Sequence, residues 1–148
     1  MVNNIEKIKQ AMTEQKFSAI LITDPSNILF ATGFRTDDGA LLITKNKALF
    51  FTDSRYIEAA GAIIKNADVL QVTYENSYTA QIKAVLDDNG IKSIGFEDGS
   101  VSYAEYLRWQ EKLECELIPI KKTLDDLRTV KSEDDLTHLK NSQRIAEK

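Results

Sequence analysis

The sequence is poor in the features small proteins often lean on. Its 148 residues hold a single cysteine, Cys115, so no disulfide can close within the chain and a reducing compartment is its natural setting. A lone cysteine also excludes the paired C-x-x-C ligands of structural zinc sites. There is one histidine, His138, and only two prolines and six glycines. No low-complexity linker and no internal repeat is visible. No run of about 18 apolar residues occurs, so no membrane span is expected. The opening Met1-Val2-Asn3-Asn4-Ile5-Glu6 turns polar at once and lacks the apolar core of a signal peptide. A cytoplasmic location follows as the expectation. Basic residues are outnumbered, 19 against 23 acidic, for a net charge of −4. That balance argues against a nucleic-acid partner, whose binders present a basic face. The phosphate loops G-x-G-x-x-G and Walker A are missing, as is the G-x-S-x-G elbow of serine hydrolases.

What is present is an ordinary globular composition, 43% hydrophobic and 28% charged, long enough to bury a core in one domain. Ile5, Ile8, Ala11 and Met12 recur at helical spacing, with Asn3 or Asn4 as cap. Residues 17–23 follow, and Ala19-Ile20-Leu21-Ile22 is apolar on both faces, as in a strand covered on both sides. Asp24 then caps a helix that Pro25 opens, because the missing N–H costs nothing at the first helical position. Gly33 stops it. Residues 40–44 and 48–52 read as a hairpin around Lys45-Asn46-Lys47. Asp53 is expected to cap a helix carrying Tyr56, Ile57, Ala60, Ile63 and Ile64. Residues 69–74 read as a strand, Tyr78, Ile82, Val85 and Leu86 as a helix, and residues 93–96 as a short strand. Ser102 and Glu105 form a capping box, each side chain serving the other's backbone N–H. Residues 115–120 read as a last strand, placed at an edge by Pro119. A short helix at 124–130 and a final one opening at Ser132 follow. The alternation of strands and helices with one hairpin predicts a three-layer α/β domain with a mixed sheet. The final helix is sparsely apolar and carries no stop signal, so it reads as a connector into something else.

The candidate chemistry is thin. Asp134, Asp135 and His138 share a helix face and are metal-ligand types, but a solvated helix surface accounts for them better. Asp53, Glu97 and Asp98 fall near strand ends, where carboxylates can gather and bind Mg²⁺ as in two-metal nucleases. Helix-capping and turn roles explain them more simply, and the basic surface a nuclease needs is missing. Cys115 reads as a small core residue. Arg55, at a strand-to-helix junction, can present a guanidinium to a carboxylate. Residues 34–38 form the loop richest in polar groups, with Arg35, Asp37 and Asp38. No complete catalytic set and no metal site emerge from the residues themselves.

Several blocks nevertheless recur in a recognisable order. They are Ala19-Ile20-Leu21-Ile22-Thr23, Pro25-Ser26-Asn27-Ile28, Ala31-Thr32-Gly33-Phe34, residues 39–44 with Leu49-Phe50-Phe51-Thr52-Asp53-Ser54-Arg55-Tyr56, Ile94-Gly95-Phe96-Glu97, and Leu127-Arg128-Thr129-Val130-Lys131-Ser132-Glu133. Together, from about residue 5 to the end, they resemble the N-terminal part of the Xaa-Pro aminopeptidase and prolidase family. Asp135 departs from the family, which often has Glu there.

The resemblance implies a creatinase/prolidase N-terminal domain at 1–122, an α/β/α sandwich with a mixed, mostly parallel sheet of ribonuclease H-like type. It implies linker helices at 123–148 leading to a C-terminal pita-bread catalytic domain. In the family that second domain holds two divalent metal ions, manganese being the expected one, through two Asp, one His and two Glu. None of those motifs occurs in these residues, and His138 does not match the ligand histidine. The chain alone is therefore expected to be inactive, with no catalytic and no metal-ligand residue and no cofactor of its own. The parent is expected to hydrolyse Xaa-Pro bonds in proline-containing peptides, the metals activating water and polarising the carbonyl. Proline's tertiary amide lacks the N–H general peptidases grip, which gives reason for a dedicated enzyme. The implied partners are the chain's own catalytic domain and a second copy in a homodimer. In relatives a loop of this domain reaches the partner's active site. The matching positions are Phe34, Arg35, Thr36, Asp37 and Asp38, with Arg55 beside them. They are expected to limit substrate length or meet the free amino end. Creatine hydrolysis, a non-catalytic peptidase-like scaffold and, further off, an acidic metal nuclease are the alternatives.

Overall fold

A computed structural model describes residues 4–130 and 133–146, and leaves the side chains of residues 133–135 outside the described set. The chain runs α1 (Ile5–Gln15), β1 (Ala19–Ile22), α2 (Pro25–Thr32), β2 (Ala40–Thr44), β3 (Ala48–Thr52), α3 (Ile57–Ile63), β4 (Asp68–Gln71), α4 (Tyr78–Asp88), β5 (Ser93–Phe96), α5 (Tyr103–Leu113), β6 (Glu116–Pro119), α6 (Thr123–Thr129) and α7 (Glu133–Ala146). The six strands form one sheet in the order β4-β3-β2-β1-β5-β6. β2 pairs antiparallel with both β1 and β3, while β3–β4, β1–β5 and β5–β6 are parallel. β2 thus runs against all the others.

Hydrophobic patterning explains the layers. β1, β2 and β3 are buried at every position, as strands covered on both faces must be. Ile20, Ile22, Leu41, Ile43 and Phe50 meet Ile5, Ile8 and Met12 of α1, Ile28 of α2, Ala60 of α3 and Leu124 of α6 on one face. Ala19, Leu21, Leu42, Leu49 and Phe51 meet Ile82 and Leu86 of α4 and Trp109 and Leu113 of α5 on the other. This is the expected three-layer arrangement with a mixed, mostly parallel sheet. Pro119 sits in β6 at the edge, where a missing donor is tolerated. α6, which falls on the linker side of the expected boundary at 122, packs its Leu124 and Leu127 into the first core. α7 is different, with residues 136–146 all exposed.

Gly95 of β5 shows how closely the first layer sits. A Cβ built there would lie 2.6 Å from Ile120 Cγ2 and 3.3 Å from Ile20 Cγ1. Gly95→Ala is expected to lose about 1–3 kcal/mol through overpacking, read as a lowered urea midpoint. An unchanged midpoint would show that Ile120 can move aside.

Three local expectations are corrected. Asp53 does not cap α3: its carboxylate accepts from the Arg55 backbone N–H at 2.9 Å and closes a turn one step earlier, so the helix starts at Ile57. The strand expected at 69–74 ends at Gln71, because its partner β3 ends at Thr52 and the last ladder bond is Val72 N–H to Thr52 C=O, 2.7 Å. The Ser102–Glu105 capping box is half formed. Glu105 N–H donates to Ser102 Oγ at 3.1 Å, but the Glu105 carboxylate is taken by Tyr78 and Arg108.

Candidate functional site

The strand directions put the ends of β1, β3, β4, β5 and β6 along one rim of the sheet, together with the start of β2. In open α/β sheets, ligands gather outside the carboxyl ends of the strands. Two cavities among the described residues lie on that rim. The larger, about 580 Å³, opens between the loop before β2, the end of β3 and the N-terminal turns of α4 and α5. The smaller, about 170 Å³, lies between α2, the end of β5 and α6.

One lip of the larger cavity carries the loop singled out from the sequence. Phe34 does not reach outward. Its ring is buried, edge-on to Phe50 with centroids 5.9 Å apart, and it roots the loop in the core. Thr36 is buried too, and its hydroxyl donates to Asp38 C=O at 2.8 Å and accepts from Asp38 N–H at 3.1 Å, which closes the turn. Arg35, Asp37 and Asp38 are exposed. Arg55 Nη2 donates to Asp53 Oδ2 at 2.7 Å and to Asp38 Oδ2 at 3.3 Å, tying the loop to the turn after β3. The guanidinium lies 5.2 Å from the Tyr56 ring centre. Its hydrogen bond holds the Asp53 carboxyl below the ordinary value, and Asp53 in turn raises Arg55. Asp37 and Arg35 make no side-chain pair among the described residues, so they are the groups of this loop open to a ligand.

The other lip holds a network that no local motif announced. Trp109 Nε1 donates to Tyr78 Oη at 2.9 Å, Tyr78 donates to Glu105, and Arg108 pairs with the same carboxylate. Burial first, and then the bond to Glu105, push the Tyr78 phenol above its ordinary value, so it stays a neutral donor. The network joins α4 to α5 at the cavity wall.

In the smaller cavity Glu97 is 5% exposed, and its carboxylate accepts three bonds: Thr23 N–H at 2.8 Å, Asp24 N–H at 3.0 Å and Asn27 Nδ2 at 2.7 Å. Arg128 Nη1 donates to Asn27 Oδ1 at 3.2 Å. The nuclease-like grouping of Asp53, Glu97 and Asp98 is not assembled. Asp53 holds Arg55, Glu97 is turned inward, and Asp98 accepts from Lys121 N–H at 2.8 Å. The possible ligands Asp134 and Asp135 lie outside the described side chains, and His138 is exposed. Burial raises the thiol of half-buried Cys115, away from a reactive thiolate. No group of three or more His, Cys, Asp or Glu suited to a metal occurs among the described residues, so they do not fit a dinuclear centre.

Comparison with known proteins agrees with this geometry. The model of the creatinase/prolidase N-terminal domain matches residues 4–130. The chain is 28% identical to the uncharacterized peptidase YqhT of Bacillus subtilis over 97% of its length, and spans 40% of that relative. It is 34% identical over 71% of its length to a putative Xaa-Pro aminopeptidase of Mycoplasma genitalium, spanning 28% of it. Among solved structures, an Xaa-Pro aminopeptidase from Streptococcus thermophilus superposes with a TM-score of 0.78 at 28% identity, with 84% of this chain and 95% of that one covered. The X-Pro aminopeptidase of Thermotoga maritima gives 0.83 at 25% identity, with 91% and 38% covered. The chain thus spans less than half the length of these curated relatives. No helix among the described residues is long and apolar enough to cross a membrane. With its α/β/α layers, its sheet order and a match over nearly all its elements, the chain belongs to the creatinase/prolidase N-terminal domain family.

Proposed function

We propose that this chain is the N-terminal accessory domain of a cytoplasmic, dinuclear-metal peptidase that hydrolyses Xaa-Pro bonds, and that it serves dimerisation and substrate access. The observation that carries the reading is the family match over residues 4–130, joined to longer relatives named as Xaa-Pro aminopeptidases. In this reading residues 1–122 are the domain, 123–148 are linker helices, and the two divalent ions, manganese by expectation, belong to a catalytic domain other than the one described. The chain's own residues act on the substrate by position. Phe34 and Thr36 anchor the loop, Arg55 braces it through Asp38, and Asp37 and Arg35 are left to meet a peptide's ends at a partner's active site. A carboxylate suits a peptide's α-ammonium, and a guanidinium suits its carboxylate.

The test is release of Xaa from a panel of Xaa-Pro dipeptides and longer Xaa-Pro peptides with Mn²⁺ supplied. The chain alone is expected to be silent and the longer protein that contains it active. In that longer protein Asp37→Asn is expected to raise KM about two- to fivefold for substrates with a free amino end, with kcat unchanged, the size of an exposed charge pair. Equal KM at every peptide length would remove Asp37 from substrate contact. Activity of the chain alone would overturn the accessory reading and direct attention to Asp134, Asp135 and His138. Silence of the longer protein would move the reading to creatine-type chemistry or a scaffold.

A further inference from the structure

Three of the blocks that carry the family resemblance, far apart in sequence, meet at one point. Asn27 comes from the second, Glu97 from the fifth and Arg128 from the last. Their side chains form a chain of hydrogen bonds across separations of 70 and 101 residues. The chemistry at each joint is directional. A carboxylate only accepts and a guanidinium only donates. Asn27, 7% exposed between them, donates through Nδ2 to Glu97 and accepts through Oδ1 from Arg128. Its amide makes both bonds at once, one from each end. Glu97 is itself fixed by the backbone N–H groups of Thr23 and Asp24, at the end of β1 and the start of α2. Arg128 stands in the last turn of α6, the last helix packed on the core before the exposed α7. Arg128 also forms a long ion pair with the exposed Asp125, at 4.0 Å.

We infer that Glu97 and Asn27 are positioning residues that act through Arg128 to latch α6 against the rim of the sheet, and so set the direction in which the chain leaves the domain. The latch is independent of the peptidase reading, because it concerns this chain's own packing and is read in this chain alone. Apolar contacts of Leu124 and Leu127 hold α6 to the core but are not directional. Thr123 Oγ1 meets Gln15 Oε1 at 2.9 Å and pins the start of α6 to the end of α1; the relay fixes its last turn, and the two together set the angle.

The direction of the two bonds gives a variant that tests the relay without altering α6. In Glu97→Gln the two backbone N–H groups demand the one remaining acceptor oxygen. The introduced NH₂ then faces Asn27, whose amide must turn over and present its own NH₂ to Arg128. The charge and the latch are lost together while the shape is kept. Amide hydrogen exchange, followed by NMR on the 148-residue chain, is expected to show α6 amides exchanging about tenfold faster in Arg128→Ala. Glu97→Gln is expected to do the same to those amides, with central sheet amides unchanged in both. The double variant is expected to be no faster in α6 than either single one, since both cut the same relay. Unchanged α6 exchange in Arg128→Ala would overturn the latch. So would an effect of Glu97→Gln confined to α2, additive effects in the double variant, or equal acceleration throughout the sheet.

Discussion

Trp109→Ala is expected to remove about 3–5 kcal/mol of stability, the usual cost of emptying a large aromatic site in a core. Trp109 is fully buried and is the largest such side chain, set between α5, α4 and the sheet in the second core. The loss falls on packing first, because the neighbours Ile82, Leu86 and Leu113 stand on rigid elements that cannot close the gap. A polar cost adds to it. The indole N–H donates to the Tyr78 hydroxyl, which in turn holds Glu105. Trp109→Phe separates the two: it keeps most of the ring and deletes the donor, for an expected cost of about 1–2 kcal/mol. Against a total of about 5–15 kcal/mol for a domain of this kind, the alanine variant lies near the limit of folding. Its melting temperature is expected to fall by about 10 °C. Urea unfolding of the three proteins checks the order. A Trp109→Phe variant as unstable as Trp109→Ala would show that the hydrogen-bond network, not the ring's volume, ties α4 to α5.

Most of the architecture was legible because it rests on short-range rules. Ala19-Ile20-Leu21-Ile22, apolar on both faces, reads as a central strand, and β1 is one. Asp24 followed by Pro25 reads as a helix start, and the Asp24 carboxylate accepts from Ser26 and Asn27 N–H at 2.9 and 3.2 Å. The hairpin at Lys45-Asn46-Lys47 is closed by Thr44, whose hydroxyl accepts from the Asn46 and Lys47 N–H groups. Each cue needs at most four neighbouring residues. The misreadings arise where another side chain, near or far in sequence, claims the capping group. Asp53 is a sound helix cap by its flanks, yet the Arg55 guanidinium offers its carboxylate two charged donors. Glu105 has the spacing of a capping box, yet Tyr78, brought close by the packing of α4 on α5, claims it.

The candidate site was legible only in part, for the same reason. Arg35, Asp37 and Asp38 stand in a loop that composition alone marks as polar, and Arg55 does meet a carboxylate. Phe34 and Thr36 belong to the same stretch, but their burial follows from the position of Phe50 on β3 and from the turn's own hydrogen bonds. In the sequence Asn27 and Arg128 stand only in separate motifs, and Glu97 also reads as a turn carboxylate beside Asp98. Each has an ordinary local reading, and their meeting depends on β5 lying beside β1 and on α6 covering that rim. Sequence spacing carries no information about such a junction.

Glu97→Ala is expected to cost about 3–5 kcal/mol. It strips three donors of their acceptor inside the protein, and each unsatisfied buried group costs about 1–3 kcal/mol, less what water entering the adjoining cavity recovers. The pH dependence then distinguishes charge from shape. Burial raises the Glu97 carboxyl above its ordinary value, the bonds from Asn27, Thr23 and Asp24 pull it back only partly, and the charge of Asp24 adds to the rise. The other charged groups around this cavity are Lys121, Asp125 and Arg128. Because the folded value lies above the unfolded one, the native state holds the proton more tightly. As pH climbs from the ordinary carboxylate value through the folded one, the unfolding free energy supplied by this group falls, and above the folded value it is flat. Glu97→Gln does not titrate there. The stability of the wild type minus that of Glu97→Gln, measured by urea unfolding between about pH 4 and pH 7, is therefore expected to decline with rising pH. A difference that grows with pH would mean the three hydrogen bonds outweigh desolvation. Glu97 would then hold the end of β1 to α2 because it is charged, and not despite the cost of burying that charge.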